Sequence, residues 1–375
     1  MKTTMKITRI ETIPVCVPLK KGLTTKTAHG EHVDSPYVIV KVHTDDGIIG
    51  LGEATLAPRW SGETQAGCLA AISQLIEPAL VGQDPTQINA LRQSMDRVLK
   101  LNPFTKCAVE IALWDIAGKA VGKPVYQLLG GKLRSEIPVK LVIGAFPPEH
   151  VRRLAEQFLT WGVKCLKVKT GITAAEDVAR VKLVREIAGP HVPITIDSNC
   201  GWSLSTAKSV LAEMERLDVR LAEQPIPPGD PLAMAEVRRS TSIPIMADES
   251  VFSLSDAWGL CVNHAVDVLS VYPGKHGGIG GTLEIANLAK AAGVVCSIGS
   301  NLELGIGTAA MLHVAAAMPA LDAESYPCDL VGPVYHAHDL LTEPLSIGPA
   351  VARVPDGPGL GVELNESLIT QYRVN

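Results

Sequence analysis

From residue 137 onward, short apolar runs alternate with longer stretches whose apolar residues recur at helical spacing. The runs are 137–143, 163–169, 193–197, 219–223, 243–248, 265–272, 294–299 and 321–324. Between them lie amphipathic stretches at 148–161, 173–187, 204–216, 230–240, 253–263, 281–292 and 304–317. Eight strands alternating with helices predict an α/β fold, a (β/α)8-like parallel barrel over residues 131–344. Residues 1–130 read as a separate α+β domain. Its strands are expected at 6–19, 37–43 and 48–54, with a hairpin turn at Asp45-Asp46-Gly47, a polar loop over 20–35 and helices over 63–77, 85–100 and 106–121. Residues 345–375 are loop-rich and are expected to return to this first domain.

Several of the barrel runs end in charge. The second ends in Lys167-Val168-Lys169, the third in Asp197, the fourth in Glu223 and the fifth in Asp248. The steps from Lys169 are 28, 26 and 25 residues, each about one strand, one helix and two loops. Side chains alternate along a strand, so Lys167 and Lys169 share a face. Three carboxylates in one cavity repel each other and call for a cation or for protonation. Oxygen-only ligation suits Mg2+, with Mn2+ possible, better than zinc. Acids after strands also serve as helix caps, but their register with the Lys-x-Lys strand favours a metal site at Asp197, Glu223 and Asp248. Asn199 and Glu249 are expected beside it.

Composition narrows the class. A net charge of −5 gives no reason to expect nucleic-acid or membrane binding, and 46% hydrophobic residues with 4% aromatic ones imply a large aliphatic core. No apolar run reaches the roughly 18 residues of a membrane span, and the first residues lack a secretory leader's apolar stretch. The eight cysteines show neither CxxC pairs nor zinc spacing, so they read as reduced thiols packed in a cytoplasmic protein; Cys165 and Cys200, near the proposed site, are read the same way. A barrel with little net charge is also expected to form a homo-oligomer.

The motifs Lys167-Val-Lys169, Asp197-Ser-Asn199, Glu223-Gln-Pro225, Ala247-Asp-Glu-Ser250, Gly277-Gly278 and Ser300-Asn-Leu-Glu303-Leu-Gly-Ile-Gly307 resemble those of the enolase superfamily, in its muconate-lactonizing-enzyme-like subgroup. The resemblance spans essentially the whole chain. It implies an N-terminal capping domain over a modified (β/α)7β barrel, and a Mg2+-dependent enzyme in which a lysine removes the α-proton of a small carboxylate to give a metal-stabilised enediolate. Lys169 would be the base, Lys167 would bind the carboxylate, and Glu303 would lie near the same oxygens. Lid residues His29, His32, Trp60 and Glu63 would complete the pocket, and Asp322 or Glu324, at the end of the eighth run, would receive a substrate ammonium. His276 and His313 are read as structural.

One departure bears on the reaction. Relatives carry Lys-x-x-Lys-x-Gly-Gly at the end of the sixth strand, whereas this chain has Tyr272-Pro-Gly-Lys275-His-Gly277-Gly278. The glycine anchor sets Tyr272 in place of the facing lysine and Lys275 on the second position; alternatively, Pro273-Gly274 returns Lys275 to the site. A phenol is a poor base at neutral pH and a workable acid. With Tyr272 there, the reading is elimination of a β-hydroxyl as water. The sequence is similar to dehydratases of this subgroup that convert cis-3-hydroxy-L-proline to Δ1-pyrroline-2-carboxylate. With Lys275 there, a cycloisomerase or an amino-acid or dipeptide racemase-epimerase is expected. A non-catalytic carboxylate-binding relative is the remaining alternative.

Overall fold

The computed structural model describes residues 5–374. The N-terminal part is built on an antiparallel sheet, in which β1 (Ile7–Pro18) pairs with β4 (Asp34–Thr44) and β4 with β5 (Ile49–Thr55). The polar stretch expected as a loop contains a small hairpin, β2 (Thr25–Thr27) and β3 (Gly30–His32), with Ala28-His29 at its turn. The helix Pro103–Val121 lies directly on β5. Gly50 and Gly52 permit this: a Cβ would meet the carbonyl oxygen of Ala112 at 2.1 Å and that of Ala108 at 1.7 Å.

Seven parallel strands form the curled sheet of the barrel. They are β7 (Leu141–Ile143), β8 (Leu166–Lys169), β9 (Ile194–Asp197), β10 (Val219–Glu223), β11 (Ile245–Ala247), β12 (Val268–Val271) and β13 (Val295–Ile298), in spatial order β13-β12-β11-β10-β9-β8-β7. The apolar run 137–143 is split: β6 (Glu136–Pro138) leaves the barrel to pair with β14 (Val351–Arg353), and only β7 enters it. An eighth segment joins the two edges by bridges of Leu321 to Cys296 and Cys328 to Val139. It is not a continuous strand. Asp322 Oδ1 accepts Ser325 N at 3.1 Å, and its carbonyl accepts Tyr326 N at 3.0 Å, so the chain turns before returning to the barrel at Cys328. Leu221, Met246 and Val268, with Val295 and Tyr326, fill the N-terminal end of the barrel with apolar side chains.

Two buried carboxylates join the N-terminal part to the barrel by capping barrel helices. Glu53 accepts Leu304 N and Gly307 N at 2.7 and 2.9 Å, at the start of the helix Gly305–Ala317. Glu110 accepts Ile279 N and Gly280 N at 2.8 and 2.9 Å, at the start of Ile279–Ala291. Each satisfies free N–H groups and meets the positive end of a helix dipole. The C-terminal tail runs back across the N-terminal part, where Val374 N donates to Pro14 O at 3.0 Å. Among the described residues, no helix is long and apolar enough to cross a membrane.

Candidate active site

Strand register gathers the charged run-ends at one mouth of the barrel. Lys169 pairs with Asp197, and Asp197 with Glu223, across β8, β9 and β10. Lys167 is buried, and its ammonium reaches Glu223 Oε2 at 2.7 Å, Asp197 Oδ2 at 3.0 Å and Asp329 Oδ2 at 3.0 Å. Lys169 donates to Asp197 Oδ2 at 2.6 Å and to Asn199 Oδ1 at 2.9 Å. Asn199 passes the contact on, donating from Nδ2 to Glu249 Oε1 at 2.9 Å. Lys167, Lys169, Asp197, Asn199, Glu223, Asp248 and Asp329 all line a cavity of about 380 Å3, a volume suited to a small ligand.

The electrostatics of this mouth leave room for a further cation. Burial opposes ionisation of Asp197, yet Lys167 and Lys169 hold it well below the usual carboxylate range. Glu223 goes the other way: burial and the neighbouring Asp197 push it up to about 8, against the pull of Lys167. Asp248 is also raised, by burial and by Glu249, although Lys275 sits against it. The lysines therefore do not keep all the acids ionised on their own. An all-oxygen set of three buried acids short of positive charge fits a hard divalent cation such as Mg2+ or Mn2+. Asp197, Glu223 and Asp248 are the residues that would hold it.

On the sixth strand, both side chains that the sequence posed as alternatives are buried near Asp248. A turn at Pro273 closed by Gly278 N to Pro273 O at 2.9 Å does carry Lys275 back inside. Its ammonium is buried and donates three times, to Asp248 Oδ1 at 2.6 Å, Asp248 O at 2.9 Å and Ser270 O at 2.8 Å. All three of its protons are engaged, two of them on main-chain carbonyls. Tyr272 follows the inward-facing Ser270 at the strand end. Its ring stacks on Trp60 at 6.2 Å and lies near Phe104, and its hydroxyl is buried with no hydrogen-bond partner among the described residues. Burial and the nearby Asp248 raise the phenol well above its ordinary range, so it keeps its proton. Neither side chain is among those lining the cavity.

The remaining expectations sort clearly. His29, His32 and Trp60 line the cavity from the N-terminal part, joined by Arg59, which the sequence did not single out. Glu63 does not: it accepts Phe104 N and Thr105 N, capping the helix Pro103–Val121. Glu303 is buried beneath the rim, accepting Ser300 Oγ at 2.6 Å and Asn301 N at 3.1 Å. Glu249 is buried and holds Asn199. Asp322 and Glu324 are a correction. The turn at 322–326 lies at the opposite, N-terminal end, where Ser325 and Tyr326 border a different cavity with Pro193 and Pro244. The acid that the eighth segment brings to the mouth is Asp329, whose Oδ2 also meets Lys140 at 3.2 Å. Its other oxygen, Oδ1, is buried and has no hydrogen-bond partner among the described residues. An acid directly after the buried Cys328, one strand length past the turn, was the signal available for it. His276 and His313 each contact a main-chain carbonyl, Phe252 O and Leu360 O, away from the cavity.

The chain matches known protein families over most of its length. Residues 9–130 match the family described as mandelate racemase / muconate lactonizing enzyme, N-terminal domain, and residues 150–368 match enolase C-terminal domain-like. The chain is 33% identical to N-succinyl-L-Arg/Lys racemase of Bacillus cereus, over 99% of this chain and 98% of that protein. It is likewise 33% identical to muconate cycloisomerase 1 of Rhodococcus opacus, over the full length of both. The crystal structure of muconate lactonizing enzyme from Pseudomonas fluorescens, complexed with muconolactone, superimposes with a TM-score of 0.94 at 30% identity, covering 99% of this chain and 100% of that one.

Proposed function

This chain belongs to the mandelate racemase / muconate lactonizing enzyme family of the enolase superfamily, and on that premise we propose that it is an isomerase of a small carboxylate, working through proton transfer by Lys169 at the carbon α to the carboxylate. The observation that carries this reading is the position of Lys169. Its ammonium lines the cavity and is held by two side-chain oxygens, those of Asp197 and Asn199, rather than by main-chain groups. A hard divalent cation bound by Asp197, Glu223 and Asp248 would offset the charge that develops on the substrate carboxylate as the α-proton leaves. Lys167, buried among three acids and held protonated by them, supplies fixed positive charge beside that carboxylate. Lys169, in its neutral form, takes the proton at Nζ and can return it. Asp329 Oδ1, an unpartnered acceptor, suits an N–H group on the substrate.

The named relatives support isomerisation, as a racemase and a cycloisomerase. Within that class, Lys275 is tied down by three acceptors, so a reaction served by a single free lysine, such as cycloisomerisation, matches the site better than exchange between two lysine bases. A second reading keeps the same first step and eliminates a β-hydroxyl as water, with cis-3-hydroxy-L-proline giving Δ1-pyrroline-2-carboxylate. The phenol of Tyr272 supports it, as a buried proton donor with no acceptor among the described residues.

Incubation with Mg2+ in D2O separates these readings. The panel is muconates, N-acyl amino acids, dipeptides and cis-3-hydroxy-L-proline, followed by proton NMR. Lactone formation or α-deuteration supports the isomerase; pyrroline formation supports elimination instead. Failure to exchange an α-proton with any member, with Lys169→Met no different from the wild type, would refute both.

A further inference from the structure

A second group of metal-ligating side chains adjoins the three acids, with His29 on the lining of the same cavity and Glu249 next to Asp248 in the chain. We infer that His29, Cys200 and Glu249 form a binding site for a borderline-soft divalent cation, of which Zn2+ is the type, clamping the β2–β3 hairpin to the barrel.

Three observations carry this. The ligand atoms of the three residues, an imidazole nitrogen, a thiol sulfur and a carboxylate oxygen, all lie within 4.8 Å of one another. His29 Nε2 and Glu249 Oε1 are already 3.3 Å apart, about the ligand-to-ligand spacing of a tetrahedral zinc site with bonds of roughly 2.0–2.3 Å. Glu249 is 9% exposed, and its second oxygen, Oε2, is buried without a hydrogen-bond partner among the described residues. A buried carboxylate oxygen with nothing to accept is costly unless something binds it.

The donor set differs from that of the cavity in kind. Asp197, Glu223 and Asp248 offer only oxygen, which suits Mg2+; a thiolate and an imidazole select for Zn2+ or Co2+. Three protein ligands leave a fourth position for water. The site is also reachable: the side chain of His29 is 34% exposed and Cys200 is only half-buried, unlike a cysteine packed in the core. On binding, the thiol proton of Cys200 leaves to solvent and the sulfur bonds the ion as thiolate.

The ligands come from both halves of the molecule. His29 sits at the turn of the hairpin in the N-terminal part, whereas Cys200 and Glu249 follow β9 and β11 of the barrel. The hairpin also supplies Gly30, Glu31 and His32 to the cavity wall. An ion at this site therefore pins the hairpin across the entrance and restrains its opening. The inference does not depend on which reaction the cavity performs.

The test uses the wild-type protein kept in saturating Mg2+ and titrated with Co2+ and then Zn2+. One equivalent of Co2+ should raise a thiolate-to-cobalt charge-transfer band, which one equivalent of Zn2+ abolishes. Cys200→Ser should lose the band, His29→Ala should weaken Co2+ binding at least tenfold, and Asp197→Asn should keep the band. On the wild type alone, Zn2+ should protect Cys200 from alkylation, mapped by mass spectrometry, and slow hydrogen exchange over residues 25–32. Absence of the band, its persistence in Cys200→Ser, or unprotected Cys200 in excess Zn2+ would overturn the inference. Because none of these readouts is turnover, they stand or fall separately from the proposed reaction.

Discussion

On the second-strand wall of the cavity, Lys169 is held by Asp197 and Asn199, two side chains that a bound cation and substrate can redirect. On the sixth-strand wall, Lys275 is held by the carbonyls of Asp248 and Ser270 as well as by a carboxylate. The two ammonium groups are chemically the same and both sit against an acid expected to bind metal. What differs is the permanence of the partners. Main-chain carbonyls do not turn away, so Lys275 is a fixture that orients Asp248, whereas Lys169 can exchange its side-chain partners. Position in a motif does not by itself make a lysine a base; the nature of its acceptors does.

The largest effect that could break this contrast is on turnover. Lys169→Met should lower kcat by about 10²–10⁴-fold while leaving the fold intact, since Lys167 still neutralises Asp197. Isothermal binding of Mn2+ with circular dichroism checks that the site survives. Equal loss from Lys275→Met, with unchanged stability and metal affinity, would erase the distinction between the walls.

Next in size is the structural cost on the other wall. Lys275→Met leaves the Asp248 carboxylate and the Ser270 carbonyl without their lysine donor, while the Asp248 carbonyl keeps Val251 N, and breaking a buried pair in this way costs about 3–5 kcal/mol. Denaturant unfolding should show that loss, and Mn2+ affinity should fall because Asp248 is no longer oriented. Lys169→Met, whose ammonium has only side-chain partners, should lose clearly less stability.

The two walls were not equally legible in the sequence. Lys167, Lys169, Asp197, Glu223 and Asp248 could be read because each closes an apolar run, and parallel register forces run-ends to one mouth. The sixth strand could not be settled, because Pro273-Gly274 reverses the chain and brings in a side chain four positions beyond the strand end. Asp329 is hidden for a related reason: a turn over 322–326 separates it from its apolar run, so the pattern points to the acids nearest the run, Asp322 and Glu324. Lys140 was hidden because a single apolar run contains both β6 and β7, and only their separation reveals that it points inward to Asp329. Strand-and-helix alternation survives such interruptions; the identity of the last inward residue does not.

A pH series distinguishes both walls from the seam beneath them. Burial pushes Glu53 and Glu303 each up to about 7, from 4.5 in an unfolded chain. The folded state thus binds more protons than the unfolded state between those values. Stability from this pair is greatest below about pH 4.5 and falls as pH rises to about 7, by up to about 3 kcal/mol per group. Melting temperatures from pH 5 to 7.5 should decline and then level off, and Glu53→Gln should flatten the decline. A rising curve over the same range would overturn this, because Glu223 and Asp248, raised by burial as well, add to the decline, and Asp197, held low by its lysines, stays ionised across it.

The smallest expected effect is the sharpest probe of the sixth-strand wall. Tyr272 holds a buried hydroxyl without a partner, which costs roughly 1–3 kcal/mol if nothing binds it. Tyr272→Phe removes that oxygen and keeps the ring against Trp60 and Phe104. Stability should therefore stay unchanged or rise by about 1 kcal/mol, unlike the loss expected on removing a satisfied hydrogen bond. The same variant separates the two chemical readings, because an isomerisation carried by Lys169 alone does not need the phenol, whereas an elimination needs its proton for the departing hydroxide. Unchanged kcat on the isomerase substrate identifies the hydroxyl as a passive feature of the wall. A fall of about 10²-fold in water elimination, with KM held, identifies it as the acid facing Lys169.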